Sequence, residues 1–222
     1  MAADFAGLRE MLRSQRAFPD QLPGFDPRAA PADPVTLFLR WLEAAIQAGV
    51  PAPHTMTLAT ADERGQPSSR VLICKDVDGE GRWHFASSAA SGKGRDLAVN
   101  PAAALSFWWP QQGRQIRVRG AVVPAGARAS TADFLARSPA SRAEGLVGHQ
   151  SEPLGDQAEL DRAFRAAHAR VLADPELVAP DWTLYTLTAE QVEFWQGDPE
   201  RRHVRLRYQR GGSAWTRQLL WP

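Results

Sequence analysis

Residues 102–123, AAALSFWWPQQGRQIRVRGAVV, decide how this chain folds. Two runs that suit strands, Ala102–Trp109 and Arg114–Val123, flank Pro110–Gly113, whose proline and glycine mark a turn. In the second run Ile116 and Val118 alternate with Arg117 and Arg119. Side chains alternate across a strand, so one face is apolar and the other basic. The stretch therefore reads as an antiparallel hairpin with one face on a core.

The same grammar extends in both directions. Upstream, Thr55–Thr60, Ser69–Lys75 and Arg82–Ser87 read as strands, with turns at Asp62–Gln66 and Asp76–Gly81. Ser91–Val99 reads as a short helix stopped by Asn100-Pro101, and Trp182–Glu193, His203–Tyr208 and Ala214–Leu220 as closing strands. Helices are expected over Ser130–Arg137 and Glu159–Leu172. A further helix opens at Asp33-Pro34, an N-cap acid before a first-turn proline, and Gly49 stops it. Its residues Leu37, Phe38, Trp41, Leu42, Ala45 and Ile46 share one apolar face. Residues 1–30 are expected to form an extended N-terminal arm, and 31–222 one domain; prolines recur from Pro19 to Pro34. Strands dominate and βαβ alternation is absent. The fold class is mainly β with peripheral helices (α+β), an antiparallel barrel and not a doubly wound sheet. Trp41, Trp83, Trp108 and Trp109 are expected in the core.

Composition narrows function by exclusion. The 222 residues are 44% hydrophobic and 23% charged, with a net charge of +1. A near-neutral chain without an aromatic-basic stacking platform argues against nucleic-acid binding through Arg117 and Arg119. The one cysteine, Cys74, sits in an apolar run and excludes an internal disulfide; an inert buried thiol is expected. Residues Met1–Arg16 are too interrupted by charge for a signal peptide or membrane span, so a cytoplasmic location is expected. No dinucleotide-binding, P-loop or GxSxG motif is present, and the five histidines lack metal-ligand spacing.

What remains is a set of cations and hydroxyls at strand ends. Arg70 and Lys75 lie five apart on one expected strand and so face opposite sides. Ser87, Ser91 and Lys93 gather at a strand end and helix start, where hydroxyls, an ammonium and free backbone N–H groups suit a phosphate. By residue type alone they read first as an ordinary cap, and Arg201, Arg202, Arg205 and Arg207 first as the exposed face of a basic strand.

The C-terminal segment is more specific. Val192-Glu193-Phe194-Trp195-Gln196-Gly197, followed by Glu200-Arg201-Arg202-His203-Val204-Arg205 and Tyr208, closely resembles the signature of the pyridoxamine 5′-phosphate oxidase family. Upstream, Pro31–Pro34 with Trp41-Leu42, Arg70–Lys75, Ser91-Gly92-Lys93-Gly94, Arg114-Gln115-Ile116 and Gln150-Ser151 resemble other family segments, so the likeness spans Pro31 to Pro222. The resemblance implies a split β-barrel, a homodimer, and FMN held at the subunit interface. It implies that Arg70, Ser87, Ser91 and Lys93 surround the FMN phosphate. Gln115, Gln150 and Ser151 would meet polar edges of the flavin, with Trp195 and Arg205 arriving from the other subunit. Lys75, which also borders the cofactor, would receive the substrate phosphate with Arg137 and Ser141. Arg201 and His203 would lie over the flavin face as the catalytic pair. The implied reaction converts pyridoxine or pyridoxamine 5′-phosphate to pyridoxal 5′-phosphate, by hydride transfer to the flavin with molecular oxygen as acceptor.

Two positions depart from the pattern. Gly92 stands where the family carries an arginine at the phosphate loop. Asp133 falls, by spacing from Arg137 and Gln150, where the family has a tyrosine that binds the substrate phosphate; a carboxylate there repels a phosphate unless it is turned away or protonated. The alternative reading is an oxidase that aromatises a dihydrophenazine-like tricycle. A flavin-binding protein without catalysis is the third.

Overall fold

The computed structural model of the chain describes residues 7–16 and 18–222. Residues 1–6 and Ala17 of the expected arm lie outside these. Among the described residues are nine strands and six α-helices. The strands are β1 (Thr55–Ala61), β2 (Pro67–Ile73), β3 (Asp76–Val77), β4 (Arg82–Ser88), β5 (Ala102–Trp109), β6 (Arg114–Pro124), β7 (Trp182–Gln196), β8 (Val204–Gly211) and β9 (Ala214–Leu220). The helices are α1 (Leu8–Ser14), α2 (Pro34–Gln47), α3 (Gly92–Val99), α4 (Ala127–Leu135), α5 (Pro139–Val147) and α6 (Gln157–Ala173). None is long and apolar enough to cross a membrane.

Every strand pairing is antiparallel, in the order β2-β1-β5-β6-β7-β4-β3, with β8 on β7 and β9 on β8. The 15-residue β7 organises the sheet. Its first half, Trp182–Thr188, pairs with β4, and its last six residues, Gln191–Gln196, pair with β8; β6 runs along its other edge. A register shift between Arg119 and Gly120 lets β6 follow the bend. Gly120 is required there, because a Cβ would meet the Thr188 carbonyl oxygen at 1.9 Å. The result is the split-barrel architecture expected, with β2 and β4 approaching each other without pairing.

The hairpin behaves as its alternation dictates. Leu105, Phe107, Trp109, Ile116 and Val118 are buried, while Arg117 and Arg119 face outward. Helix α2 completes this core. Asp33 caps it by accepting from the Thr36 N–H at 2.7 Å, an interaction worth about 1 kcal/mol. Phe38 then meets Trp83 at 4.5 Å between centroids and Phe107 at 5.1 Å, and Trp41 meets Phe194 at 5.2 Å. Full burial of such rings stabilises by about 2–3 kcal/mol each. Burial also holds the Cys74 thiol protonated, raising its pKa to about 12.

Four expectations need correction. Trp108 is 45% exposed: Trp109 takes the inward position of β5, and period-2 alternation turns its neighbour out. Strand β2 ends at Ile73, so Lys75 and Arg70 do not share a strand; the Lys75 N–H donates to the His84 carbonyl at 2.8 Å instead. The segment from Ala127 to Val147 holds two helices, not one, because Ser138 caps α5 by accepting from the Ser141 N–H, with Pro139 in its first turn. The arm is not extended throughout: α1 and a 3-10 turn at Pro27–Ala29 lie within it.

Candidate functional site

Sites form here because the split leaves the ends of β2 and β4 beside the start of α3 and the loop after α5. Ser91 is fully buried as the N-cap of α3, its Oγ accepting from the Gly94 N–H. Gly94 has to be glycine, since a Cβ would meet the Ala89 carbonyl oxygen at 2.3 Å. Gly92 is different: its nearest neighbour to an added Cβ is Ser151 Oγ at 3.6 Å, ordinary contact. Sterics therefore leave room for a side chain at the position where a cation was expected.

Lys93 is only 7% exposed, yet among the described residues its ammonium touches no carboxylate. Its Nζ donates to Ser87 Oγ at 3.0 Å, Ser91 Oγ at 3.3 Å and Gln150 Oε1 at 3.3 Å. Burial, then the nearby Arg70 charge, lowers its pKa. Arg70 extends from β2 and donates to Thr60 Oγ1 at 2.8 Å and Ser68 Oγ at 2.7 Å. Asp96 stands in the same wall but is turned onto the Thr60 hydroxyl at 2.6 Å. Ser151, in a left-handed conformation (φ 79°), accepts from the Gly92 N–H at 3.2 Å. Arg70, Lys93, Gln150 and Ser151 thus line one cavity of about 700 Å³. Two cations held by neutral oxygens at a helix start have donors suited to a phosphate monoester, with Asp62 and Asp96 also in the cavity lining.

A second cavity, of about 490 Å³, adjoins the first and shares Val71, Leu72 and Gln150 with it. Lys75, Ser87, Arg137 and Ser141 line it. Its cations are differently placed. Lys75 Nζ pairs with Asp133 Oδ1 at 3.1 Å, and the other Asp133 oxygen accepts from Trp182 Nε1 at 2.9 Å. The Arg137 guanidinium lies 4.0 Å from the centre of the Trp182 ring and pairs with Glu144 at 3.0 Å. Ser141 accepts from the Ser138 hydroxyl at 2.9 Å. Trp182 and Glu144 escaped the sequence reading. Trp182 was visible only as the first residue of a strand, and Glu144 only as a charge on an unrecognised helix.

The remaining expected residues cluster elsewhere on the protomer. Trp195 pairs across the sheet with Gln115 and Arg205. The His203 ring lies 4.9 Å from Trp195, and its Nδ1 accepts from the Asp198 N–H at 3.0 Å. Arg201 is exposed in a left-handed turn (φ 67°) that a non-glycine residue adopts only under some strain. Arg205 and Arg117 converge on the buried Glu193 at 3.0 and 2.7 Å. Burial alone would raise the Glu193 pKa; hydrogen bonds from the two arginines outweigh it and hold the carboxylate below its ordinary range. None of Gln115, Trp195, Arg201, His203 or Arg205 lines the cavities of Lys93 and Lys75.

A split barrel with buried and part-buried cations at a helix start is compatible with a flavin-mononucleotide-binding class of protein. Comparison with known proteins agrees. Residues 42–171 match the family described as pyridoxamine 5′-phosphate oxidase. Residues 182–222 match the pyridoxine 5′-phosphate oxidase C-terminal dimerisation region. Among curated relatives, the pyridoxine/pyridoxamine 5′-phosphate oxidase of Ectopseudomonas mendocina (strain ymp) is 41% identical over 201 residues, covering 90% of this chain and 93% of its own. That of Anaeromyxobacter dehalogenans (strain 2CP-C) is 42% identical, covering 88% and 98%. Among solved structures, PhzG from Burkholderia lata 383, in complex with tetrahydrophenazine-1-carboxylic acid, superposes with a TM-score of 0.81 at 32% identity, covering 93% of this chain and all of that one. The chain belongs to the pyridoxine/pyridoxamine 5′-phosphate oxidase family and is an FMN-dependent oxidase.

Proposed function

We propose that two copies of this chain enclose FMN between them and dehydrogenate a small nitrogen-bearing ring compound. The observation that carries this reading is the buried Lys93 ammonium, supported by three neutral oxygens and, among the described residues, by no carboxylate. Such a group calls for an anion, and charge-assisted hydrogen bonds to phosphate are about twice as strong as neutral ones. Arg70, Ser87, Ser91 and the α3 N–H groups complete the phosphate site, with Gln150 and Ser151 toward the ring. FMN, when bound, supplies a two-electron acceptor that molecular oxygen regenerates with release of hydrogen peroxide.

The C-terminal edge completes the site from the partner subunit. Trp195 and Gln115 offer a ring face and an amide, and Glu193 holds the Arg205 guanidinium in a fixed orientation. The exposed Arg201, on its strained turn, and His203, fixed by the Asp198 N–H, orient the substrate above the ring. Orientation is the main contribution asked of these residues, since the reaction needs little acid–base chemistry from the protein.

Two substrate classes follow from the relatives. The curated names point to pyridoxine and pyridoxamine 5′-phosphate, whose phosphate Lys75, Arg137 and Ser141 would face. The pairing of Lys75 with Asp133 favours the second, a reduced ring without a phosphate. The decisive experiment is an absorbance spectrum of the purified protein followed by anaerobic addition of pyridoxamine 5′-phosphate and of a dihydrophenazine. Bleaching of a bound flavin by either supports the oxidase reading. A colourless protein that takes up no FMN overturns it.

A further inference from the structure

The chain contains two neighbouring cation pairs, and only one is left open to an anion. Lys93 and Arg70 contact neutral oxygens alone. Lys75 and Arg137 each hold a carboxylate, Asp133 at 3.1 Å and Glu144 at 3.0 Å. The Asp133 carboxylate is not adventitious. Its side chain is 12% exposed, and Trp182 Nε1 fixes its second oxygen. The same indole carries the Arg137 guanidinium on its face, so Trp182 ties both ion pairs into one wall. Each cation of this second pair is matched by a carboxylate at ion-pair distance, Glu144 lining the cavity and Asp133 lying beside Lys75. A dianion placed on Lys75 would also face the Asp133 carboxylate a few ångströms away.

From this we infer that Asp133 is a specificity-determining residue that turns the second cavity against phosphate dianions and toward a ring bearing a single carboxylate. The inference rests on the oxidase reading above and names its substrate class. Donors remaining in the wall suit that choice. The Ser141 hydroxyl accepts from Ser138 and keeps its own proton to give, and the Arg137 guanidinium lines the same cavity. A carboxylate brings one negative charge to these groups and to the neighbouring Asp133. A phosphate presents three oxygens and about twice the charge. Val71, Leu72, Ile73 and Ala86 supply the apolar surface for a ring.

The test is calorimetric, on the FMN-loaded full chain, with pyridoxal 5′-phosphate and phenazine-1-carboxylate as probes. Asp133→Asn keeps an acceptor for Trp182 Nε1 and removes only the charge. It is expected to tighten pyridoxal 5′-phosphate by about tenfold and the carboxylate by about threefold, because an interaction energy that doubles with charge squares the factor. Glu144→Gln shifts the ratio in the same direction by less, since Glu144 is 67% exposed and screened. Wild-type preference for pyridoxal 5′-phosphate, or equal change for both probes in Asp133→Asn, overturns the inference. FMN content separates the two failures. A chain that binds no FMN sinks the oxidase reading, while the ratio of the two probes, measured on the same chain, still judges the role of Asp133.

Discussion

Lys93 and Lys75 are the same residue type in adjoining cavities, and they differ in what they leave available. Lys93 is buried among hydroxyls and an amide oxygen, which satisfy its N–H groups without cancelling its charge. The Lys75 side chain is 31% exposed and already paired with Asp133. The first is a charge kept at the cost of desolvation, which is sustained only if an anion arrives. The second is a charge neutralised within the fold. Counting cations around a pocket therefore misjudges what it binds; their partners have to be counted as well.

The sharpest way to break this contrast is Lys93→Met. Loss of a charge-assisted bond worth about 3 kcal/mol should weaken FMN binding by about 100-fold in a flavin fluorescence titration. A change under about threefold would mean that the two cavities do not differ as described. Next in size, Arg201→Ala should lower turnover by about 30-fold while leaving FMN content nearly intact, as expected of a group that orients the substrate. Equal loss of both would move Arg201 out of the role proposed for it.

A pH titration sharpens the comparison further. The Lys93 pKa lies below the ordinary value of 10.5 because of burial and the Arg70 charge. Phosphate needs the protonated form, so FMN affinity should be full at lower pH and fall as pH rises through the depressed value, by at most about tenfold per pH unit. Between that value and 10.5 the cofactor-free fold binds fewer protons than the unfolded chain, so its stability rises with pH across the same window. Lys93→Met should abolish both trends in paired fluorescence and urea titrations. The smallest effect is expected of Lys75→Met, about tenfold on pyridoxal 5′-phosphate binding by calorimetry, matching in size the opposite change in Asp133→Asn because the two charges form one pair. A loss as large as that of Lys93→Met would erase the distinction between the cavities.

Much of this was legible before any coordinates. Period-2 alternation in Arg114–Val123 set the inward and outward faces of β6, and Asp33-Pro34 set the start of α2. Both are local signals whose physics acts over a few residues. Local signals also explain what was overlooked: Ser138-Pro139 is an N-cap and first-turn pair of the same kind as Asp33-Pro34, and it opens α5. Trp108 was misjudged because residue type was weighed above the alternation that governs its strand.

The amino-acid order alone determined the strand-rich class, the capped helices and the C-terminal motif, since periodicity, capping and motif spacing are properties of neighbours along the chain. The partners of the charges were decided only in three dimensions. Asp133 and Trp182 are 49 residues apart, and Lys93 and Gln150 are 57 apart; they meet because α4 packs on β7 and the loop after α5 reaches the start of α3. Whether a cation is free or compensated depends on distances of a few ångströms between such segments, and no local pattern encodes them.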